Sequence, residues 1–264
     1  MKGKIQKRFY LRSIFIIPIF ALSISGCAED IQQAIADLLL AIDANNAEQV
    51  ASAALDMTGA VDDADDILDA VVGTGTVNET VNCNDPLLDP TSGSGTADVV
   101  GTDDVNGKDL TITYNNCVMF GYTLNGDLRV VSSKTGNVKS GTSAGSLTIG
   151  FNGETFTVSN ISHAFTKDDV LKDYSHDFSM TMSTSLLPGG SISIANTAPF
   201  TGNELNIPDK PVTGEMVVTG SGNTKVRLTV IDNATGYNLD VDSNGDNVYD
   251  TQVTNSTGGL IFPW

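Results

Sequence analysis

Three groups of side chains have the types and spacing for chemistry, and each points to a different one. Asp240, Asp242, Asn244 and Asp246 place oxygen ligands at alternate positions, with Gly245 at the sharp turn and Asp250 following. Hard oxygens in that order open a calcium loop, which closes on a bidentate Glu at its twelfth position. Here the twelfth position is Thr251 and the ninth is Val248, so Asp250 completes a cation site only in a shorter loop. The competing use of these residues is a solvated hairpin turn built on Asn244-Gly245. His163 and His176 are the only histidines. A turn centred on Asp169-Val170 sets Ile161 opposite Phe178, His163 opposite His176 and Phe165 opposite Tyr174, all on one face. Ser162, Ala164, Ser175 and Asp177 then share the other face. Two facing imidazoles can bind a transition metal. Their more ordinary use is as a cross-strand pair held between aromatics, and a one-residue slip would send one of them to the opposite face. The third group, Gly141-Thr142-Ser143-Ala144-Gly145, spells a serine-hydrolase elbow. That elbow needs a helix after the serine. Leu147, Ile149 and Phe151 instead continue as a strand, so these residues are expected in a glycine-rich loop.

The elements that must carry these groups change character along the chain. Asp30 can cap a helix with apolar positions Ile31, Ile35, Leu38, Leu39 and Ile42. A second helix is expected after Asn46, with Gln49 completing its cap. Its seam of Val50, Ala54, Met57, Val61, Ala64, Leu68 and Val71 steps alternately by four and three. Residues 73–107 contain Asp85-Pro86, Asp89-Pro90 and Ser92-Gly93-Ser94-Gly95, the vocabulary of loops. From Lys108 the apolar period becomes two: Leu110, Ile112 and Tyr114 alternate, and so do Leu124, Gly126, Leu128 and Val130. The stretch ending at Phe151 turns at Asn152-Gly153 and returns through Phe156 and Val158, the strongest hairpin signal in the chain. Later strands are expected over 173–186, 191–195, 214–220, 225–231 and 237–241. Short strands joined by turns without intervening helices make an antiparallel meander. The fold class is therefore mainly β (α+β): an N-terminal helical hairpin, then a large twisted antiparallel meander, as a sandwich or an incomplete barrel.

Composition narrows the partners. The chain has 14 basic and 32 acidic residues, and five basic residues with no acidic one precede Gly26. The rest therefore carries 9 − 32 = −23. Nucleic acid is excluded as a partner on that balance, because phosphate binding needs a positive footprint. Beyond Cys27 only Cys83 and Cys117 remain. Neither has a second Cys or His at metal-ligand spacing, and a Cys83–Cys117 disulfide is the simple inference in an oxidising compartment.

Lys2, Lys4, Lys7, Arg8 and Arg12 precede an apolar run, Ile14 to Leu22, that is too short to span a bilayer, which needs about 20 residues. The residues Ile24-Ser25-Gly26-Cys27 resemble the lipobox of bacterial lipoproteins. That resemblance implies cleavage before Cys27, acylation of its thiol and amine, and anchoring in a membrane. Ala28 stands where some enteric bacteria place an Asp retention mark, which leans toward the outer membrane of a Gram-negative envelope. Tyr114-Asn115-Asn116-Cys117 with Thr123-Leu124-Asn125-Gly126, and the acidic turn at Asp240–Asp246, are similar to patterns in lipid-anchored or secreted bacterial β proteins. That group implies a location and a fold but brings no activity. The expected organisation is a signal peptide over 1–26, a helical segment over 27–73 lying on the β domain, and the β domain over 74–264. The expected function is a non-enzymatic structural, adhesive or binding module of the envelope. Two alternatives stand beside it: a carrier holding an apolar ligand between sheet and helices, and a module stabilised by calcium. The membrane is the expected partner through Cys27, together with a protein or an apolar ligand that the residues do not identify.

Overall fold

The computed structural model describes residues 41–52, 54–55, 58, 75–83, 93–119, 122–151, 154–184, 191–205, 211–231 and 236–255. The signal segment, Cys27 and the first expected helix lie outside the described residues, apart from Ile42, which is not helical. Twelve strands follow in chain order: β1 (Gly75–Asn82), β2 (Ser94–Asp104), β3 (Gly107–Met119), β4 (Tyr122–Thr135), β5 (Val138–Phe151) and β6 (Glu154–Asp168) lead. Then come β7 (Asp173–Thr184), β8 (Ser191–Asn203), β9 (Thr213–Thr219), β10 (Lys225–Ile231), β11 (Gly236–Asp242) and β12 (Thr251–Asn255). Each strand pairs antiparallel with its sequence neighbours, so all twelve form one sheet in the order of the chain. A sandwich would need two sheets.

The alternation that builds this sheet is clean. In β9, β10 and β11 every second residue is buried: Gly214, Met216 and Val218, then Val226, Leu228 and Val230, then Tyr237, Leu239 and Val241. The other face carries short polar side chains tied across strands. Thr80 donates to Asp98 at 2.6 Å, Thr113 donates to Asp127 at 2.7 Å, and Arg129 pairs with Asp109 at 2.9 Å. This is apolar inside and polar outside, the reverse of a barrel that spans an outer membrane.

Among the described residues, one helix lies on the apolar face: α1, described at residues 47–52, 54–55 and 58. Ala47, Val50, Ala51, Ala54 and Leu55 have no exposed surface, and Thr58 has 4%. They recur at the three- and four-residue steps of one helix face. The five apolar ones and Ile42 belong to the same apolar cluster as buried residues of β1 through β11. A flat sheet of this many strands would be about 55 Å wide at ~4.8 Å per strand, against a helix only ~10–12 Å across. Inner-face residues as far apart as Val77 on β1, 4% exposed, and Leu239 on β11, 0%, are both buried, which a curled sheet achieves and a flat one beside so narrow a helix does not. Tyr237 on β11 donates its hydroxyl to Glu48 Oε1 at 2.9 Å, and the Ile42 N–H donates to Thr224 Oγ1 at 2.8 Å.

Local breaks in the ladder supply the curvature. The register shifts between Tyr114 and Cys117 in β3 and between Ser159 and Ser162 in β6. Asn116 and Asn160 sit in these bulges with φ of 47° and 53°, a left-handed conformation that asparagine tolerates better than most residues. The extra residue changes the phase, so that Tyr114 and Cys117, three apart, both point inward, as do Val158 and Ile161. At Gly101 the backbones of β2 and β3 approach so closely that an added Cβ would lie 1.9 Å from the Asp109 carbonyl oxygen. Elsewhere rings lie over glycines on the next strand: Phe165 over Gly141, Tyr174 over Gly202 and Phe200 over Gly214.

Three expectations are corrected. The cap of α1 is Asp43, not Asn46. Asp43 Oδ1 accepts the N–H groups of Asn45 and Asn46 at 2.7 and 3.2 Å, while Asn46 Oδ1 accepts the Asp43 N–H at 2.9 Å, a reciprocal capping box. The stretch expected as loop over 73–107 contains β1 and β2, whose apolar residues Val77, Ala97 and Val99 are few because their outer face is solvated. The third is Gly141-Thr142-Ser143-Ala144-Gly145, which is no loop but the middle of β5.

The burial of α1 makes a direct prediction. Leu55→Ala should lower unfolding stability by about 2–5 kcal/mol, and Asp43→Ala by about 1 kcal/mol through loss of the cap, both read from urea midpoints. A Leu55→Ala protein as stable as the parent would contradict a helix at the centre of the core.

Candidate functional site

Inside the curl, two neighbouring rows of side chains break the apolar pattern. One runs Leu110, Val130, Ser143, His163 and Phe178 across β3 to β7; the next runs Ser132, Gly141, Phe165, His176 and Phe200 across β4 to β8. His163 is 4% exposed and His176 8%. The six residues expected to share a face do share it, all buried, with Ser162, Ala164 and Asp177 exposed on the other side and Ser175 intermediate. Their pairing differs. The turn centres one residue later than expected, so that His163 stands opposite Phe178 and Phe165 opposite His176. A change of two positions in pairing keeps the faces and makes the imidazoles diagonal neighbours.

The rings use that diagonal for a hydrogen bond. His163 Nε2 and His176 Nδ1 are 3.1 Å apart, the ring centroids are 5.3 Å apart, and the planes differ by 6°. Parallel planes with that nitrogen gap and that centroid spacing place the rings edge to edge, nitrogen facing nitrogen, rather than one above the other. One ring then donates an N–H and the other accepts, which requires the accepting nitrogen to be unprotonated. Phe165 lies 5.7 Å from His163, and Tyr174 lies 5.5 Å from His176, centroid to centroid. The arrangement is that of two imidazoles hydrogen-bonded to each other within an aromatic layer. The two facing nitrogens are taken up by each other.

Burial holds both imidazoles neutral. Desolvation pushes His163 down to about 4. Desolvation first, then the neighbouring His163 and Lys167, pushes His176 down to about 3.

Ser143 stands directly across from His163 on β5, 1% exposed, with its Oγ lacking a hydrogen-bond partner. The serine of the elbow spelling and one histidine are thus neighbours, a juxtaposition that separate motif readings did not suggest. Ser143 is held in regular strand, where a nucleophile elbow needs a strained strand-to-helix turn.

The acidic turn follows β11. Asp242 is fully buried, and its two carboxylate oxygens accept the N–H groups of Gly245 and Asn247, both at 2.8 Å. Asn244 Oδ1 accepts the Asp246 N–H at 2.9 Å, and Asp246 Oδ1 accepts the Val248 N–H at 2.8 Å. Asp240 is engaged elsewhere: Arg227 donates to its Oδ2 at 2.7 Å and Gln252 to its Oδ1 at 2.7 Å. The loop folds back so that Tyr249 covers the Arg227 guanidinium at 4.3 Å, and the Asp250 N–H returns to the Val241 carbonyl at 3.0 Å. The five candidate ligands are therefore dispersed over a wound turn and a cross-strand ion pair. Among the described residues no group of three or more His, Cys, Asp or Glu is placed to hold a metal ion.

Cys83, at the end of β1, and Cys117, in β3, are joined by a disulfide with Cα atoms 5.5 Å apart. It ties an outer strand of the sheet across β2 to the second strand in. Closing a loop of 34 residues stabilises by about 3–4 kcal/mol in the chain-entropy account. Comparison of the chain with protein-family models, with curated proteins and with solved structures finds no match.

Two predictions follow from these contacts. In the unfolded chain the histidines take up protons near pH 6.5, whereas in the folded chain they stay neutral until about pH 4 and 3. The unfolded state binds more protons across that window, so stability should fall as pH drops from 6.5 toward 4. Replacing both residues by leucine should shrink the fall in urea midpoint between pH 7 and pH 5. Asp242→Ala should cost about 1–3 kcal/mol by leaving two backbone N–H groups without their acceptor, measured as a lower midpoint at pH 7.

Proposed function

We propose that this chain is a lipid-anchored protein of the bacterial cell envelope, held in the outer membrane through Cys27, and that it works without catalysis as a binding or adhesive module. The observation that carries the non-carrier, surface-acting reading is α1 on the inner face of the curled sheet. Ile42, Ala47, Val50, Ala51, Ala54 and Leu55 occupy the place that an apolar ligand would take between sheet and helix. Recognition then falls to the outer face and the turns. The outer face suits an aqueous compartment, being built from Thr, Asp and Asn side chains bonded across strands. The Cys83–Cys117 disulfide suits an oxidising one. We read the sheet as an incomplete barrel and the segment before Ile42 as the first arm of the helical hairpin.

The anchor is tested by growing cells with labelled palmitate. The parent chain should incorporate label and sediment with the outer-membrane fraction, while Cys27→Ser should do neither. A Cys27→Ser protein still acylated and membrane-bound would overturn the reading. Mass spectrometry of the natively purified chain separates the modes: a stoichiometric apolar ligand would favour the carrier.

A further inference from the structure

The ladder of the sheet is broken along one line. The register shifts at Gly145/Leu147 between β5 and β6, and at Ser159/Ser162 between β6 and β7. It shifts again at His176/Ser179 between β7 and β8, and at Asn196/Ala198 and Ala198/Thr201 between β8 and β9. Ile161 pairs with Gly145, Ser162 with Ser179 and Phe200 with His176, so the breaks lie side by side on successive ladders. A bulge leaves a residue unpaired and bends its strand, and a row of them makes a crease. Beyond the crease, residues 138–145, 161–168, 173–178 and 200–203 form a flap that carries both histidines. Asn196 spans the crease, its Nδ2 donating to the His176 carbonyl at 3.3 Å.

The inner face of the flap is also set apart from the core. Among the described residues, Phe165 and Tyr174 are the two buried apolar side chains that lie outside the apolar cluster. Their rings flank the imidazoles at 5.7 and 5.5 Å and lie over Gly141 and Gly202, which belong to the flap themselves. The His163–His176 bond thus joins the two halves of a four-ring layer. By strand alternation, the titratable groups sharing that face are Lys134 on β4, Lys139 on β5, Lys167 on β6 and Tyr174 on β7. The nearby carboxylates are committed: Asp169 pairs with Lys134 at 2.5 Å, and Glu204, just past β8, pairs with Lys167 at 2.6 Å. Asp103 shares the row of His176 but stands five strands away on β2, opposite Lys108. Glu48 of α1 is bonded to Tyr237 on β11. A charge on either imidazole would therefore meet ammonium groups before any carboxylate.

We infer that the flap is an acid-opened device: protonation of the His163–His176 pair breaks the bond at its centre, and the flap turns its inner face to water about the crease while α1 and the apolar cluster stay folded. The open form takes up protons near pH 6.5 and the closed form only near 4 and 3, so falling pH favours opening below 6.5. The flap opens first because its ladder is already interrupted and its two apolar rings lie outside the cluster. Histidine is the side chain suited to such a switch, and the chain holds no others. This goes beyond the envelope reading and holds whether or not Cys27 is acylated.

The experiment is hydrogen exchange on the purified full chain between pH 7 and pH 3.5, with rates corrected for the intrinsic effect of pH. Protection over 138–145, 161–168 and 173–178 should fall by about ten-fold or more relative to protection over 47–52 and 225–231. The double variant His163→Leu with His176→Leu should lose that difference. In the parent chain, the imidazole Cε1–H signals should titrate at the midpoint of the flap's exchange, a measurement that needs no variant to fold. Loss of protection everywhere in one step would overturn the inference and leave the histidines as contributors to global stability alone. So would a flap still protected at pH 3.5, a double variant that opens as the parent does, or imidazoles that titrate apart from the exchange.

Discussion

The structure depends on the need to dry one face of a very wide sheet. Twelve strands in chain order present one apolar surface, and among the described residues no second sheet lies against it. The sheet meets that demand by curling around α1, whose buried face is largely small: Ala47, Ala51 and Ala54 let the backbone come close, while Val50 and Leu55 fill the space between. Curling in turn requires that neighbouring strands bend together. The bulges at Asn116 and Asn160 and the close backbone approach at Gly101 are therefore consequences of the same demand. The disulfide from Cys83 to Cys117 belongs to it as well, since β1 has β2 as its only strand partner among the described residues. An outer strand with one neighbour is the part of a sheet most easily lost.

Burying polar groups in such a core is costly unless they bond to each other. The histidines answer this as a pair. Both imidazoles are buried, and each meets the other's nitrogen at 3.1 Å with aromatic rings around them. The neutral state follows from this arrangement, because a proton added to the accepting nitrogen would break the bond and place an ion in an apolar layer. The acidic turn follows the same logic at the surface. Asp242 is tolerated without exposure because both of its oxygens are bonded to backbone N–H groups of the loop that covers it.

One end of the sheet holds several structural devices: the start of α1 at Thr224, the bond from Asn223 to the Gly245 carbonyl that ties two turns together, and the wound acidic loop. At the other end of these strands Val105, Val138, Val170, Leu171 and Leu205 are exposed, and Lys134 and Lys167 pair with Asp169 and Glu204.

Much of this was legible in the residues. The period of two from Lys108 onward, the pairing of β5 with β6, the shared face of His163 and His176 and the pairing of the two late cysteines were all legible, the faces because side-chain direction in a strand is set by the backbone itself. β1 and β2 were hidden, since strands with one solvated face and a flank of Gly and Pro read as loop. The position of the turn between the histidines was hidden too: a two-position change in pairing leaves every face unaltered, and only contact with β5 and β8 distinguishes the two registers. That Ser143 and His163 are neighbours, that the inner face is occupied by the chain's own helix, and that five aliphatics far apart in sequence form one rim were decided by the tertiary structure. Each of these is a relation between strands, and the spacing of residues along a single strand carries no record of it.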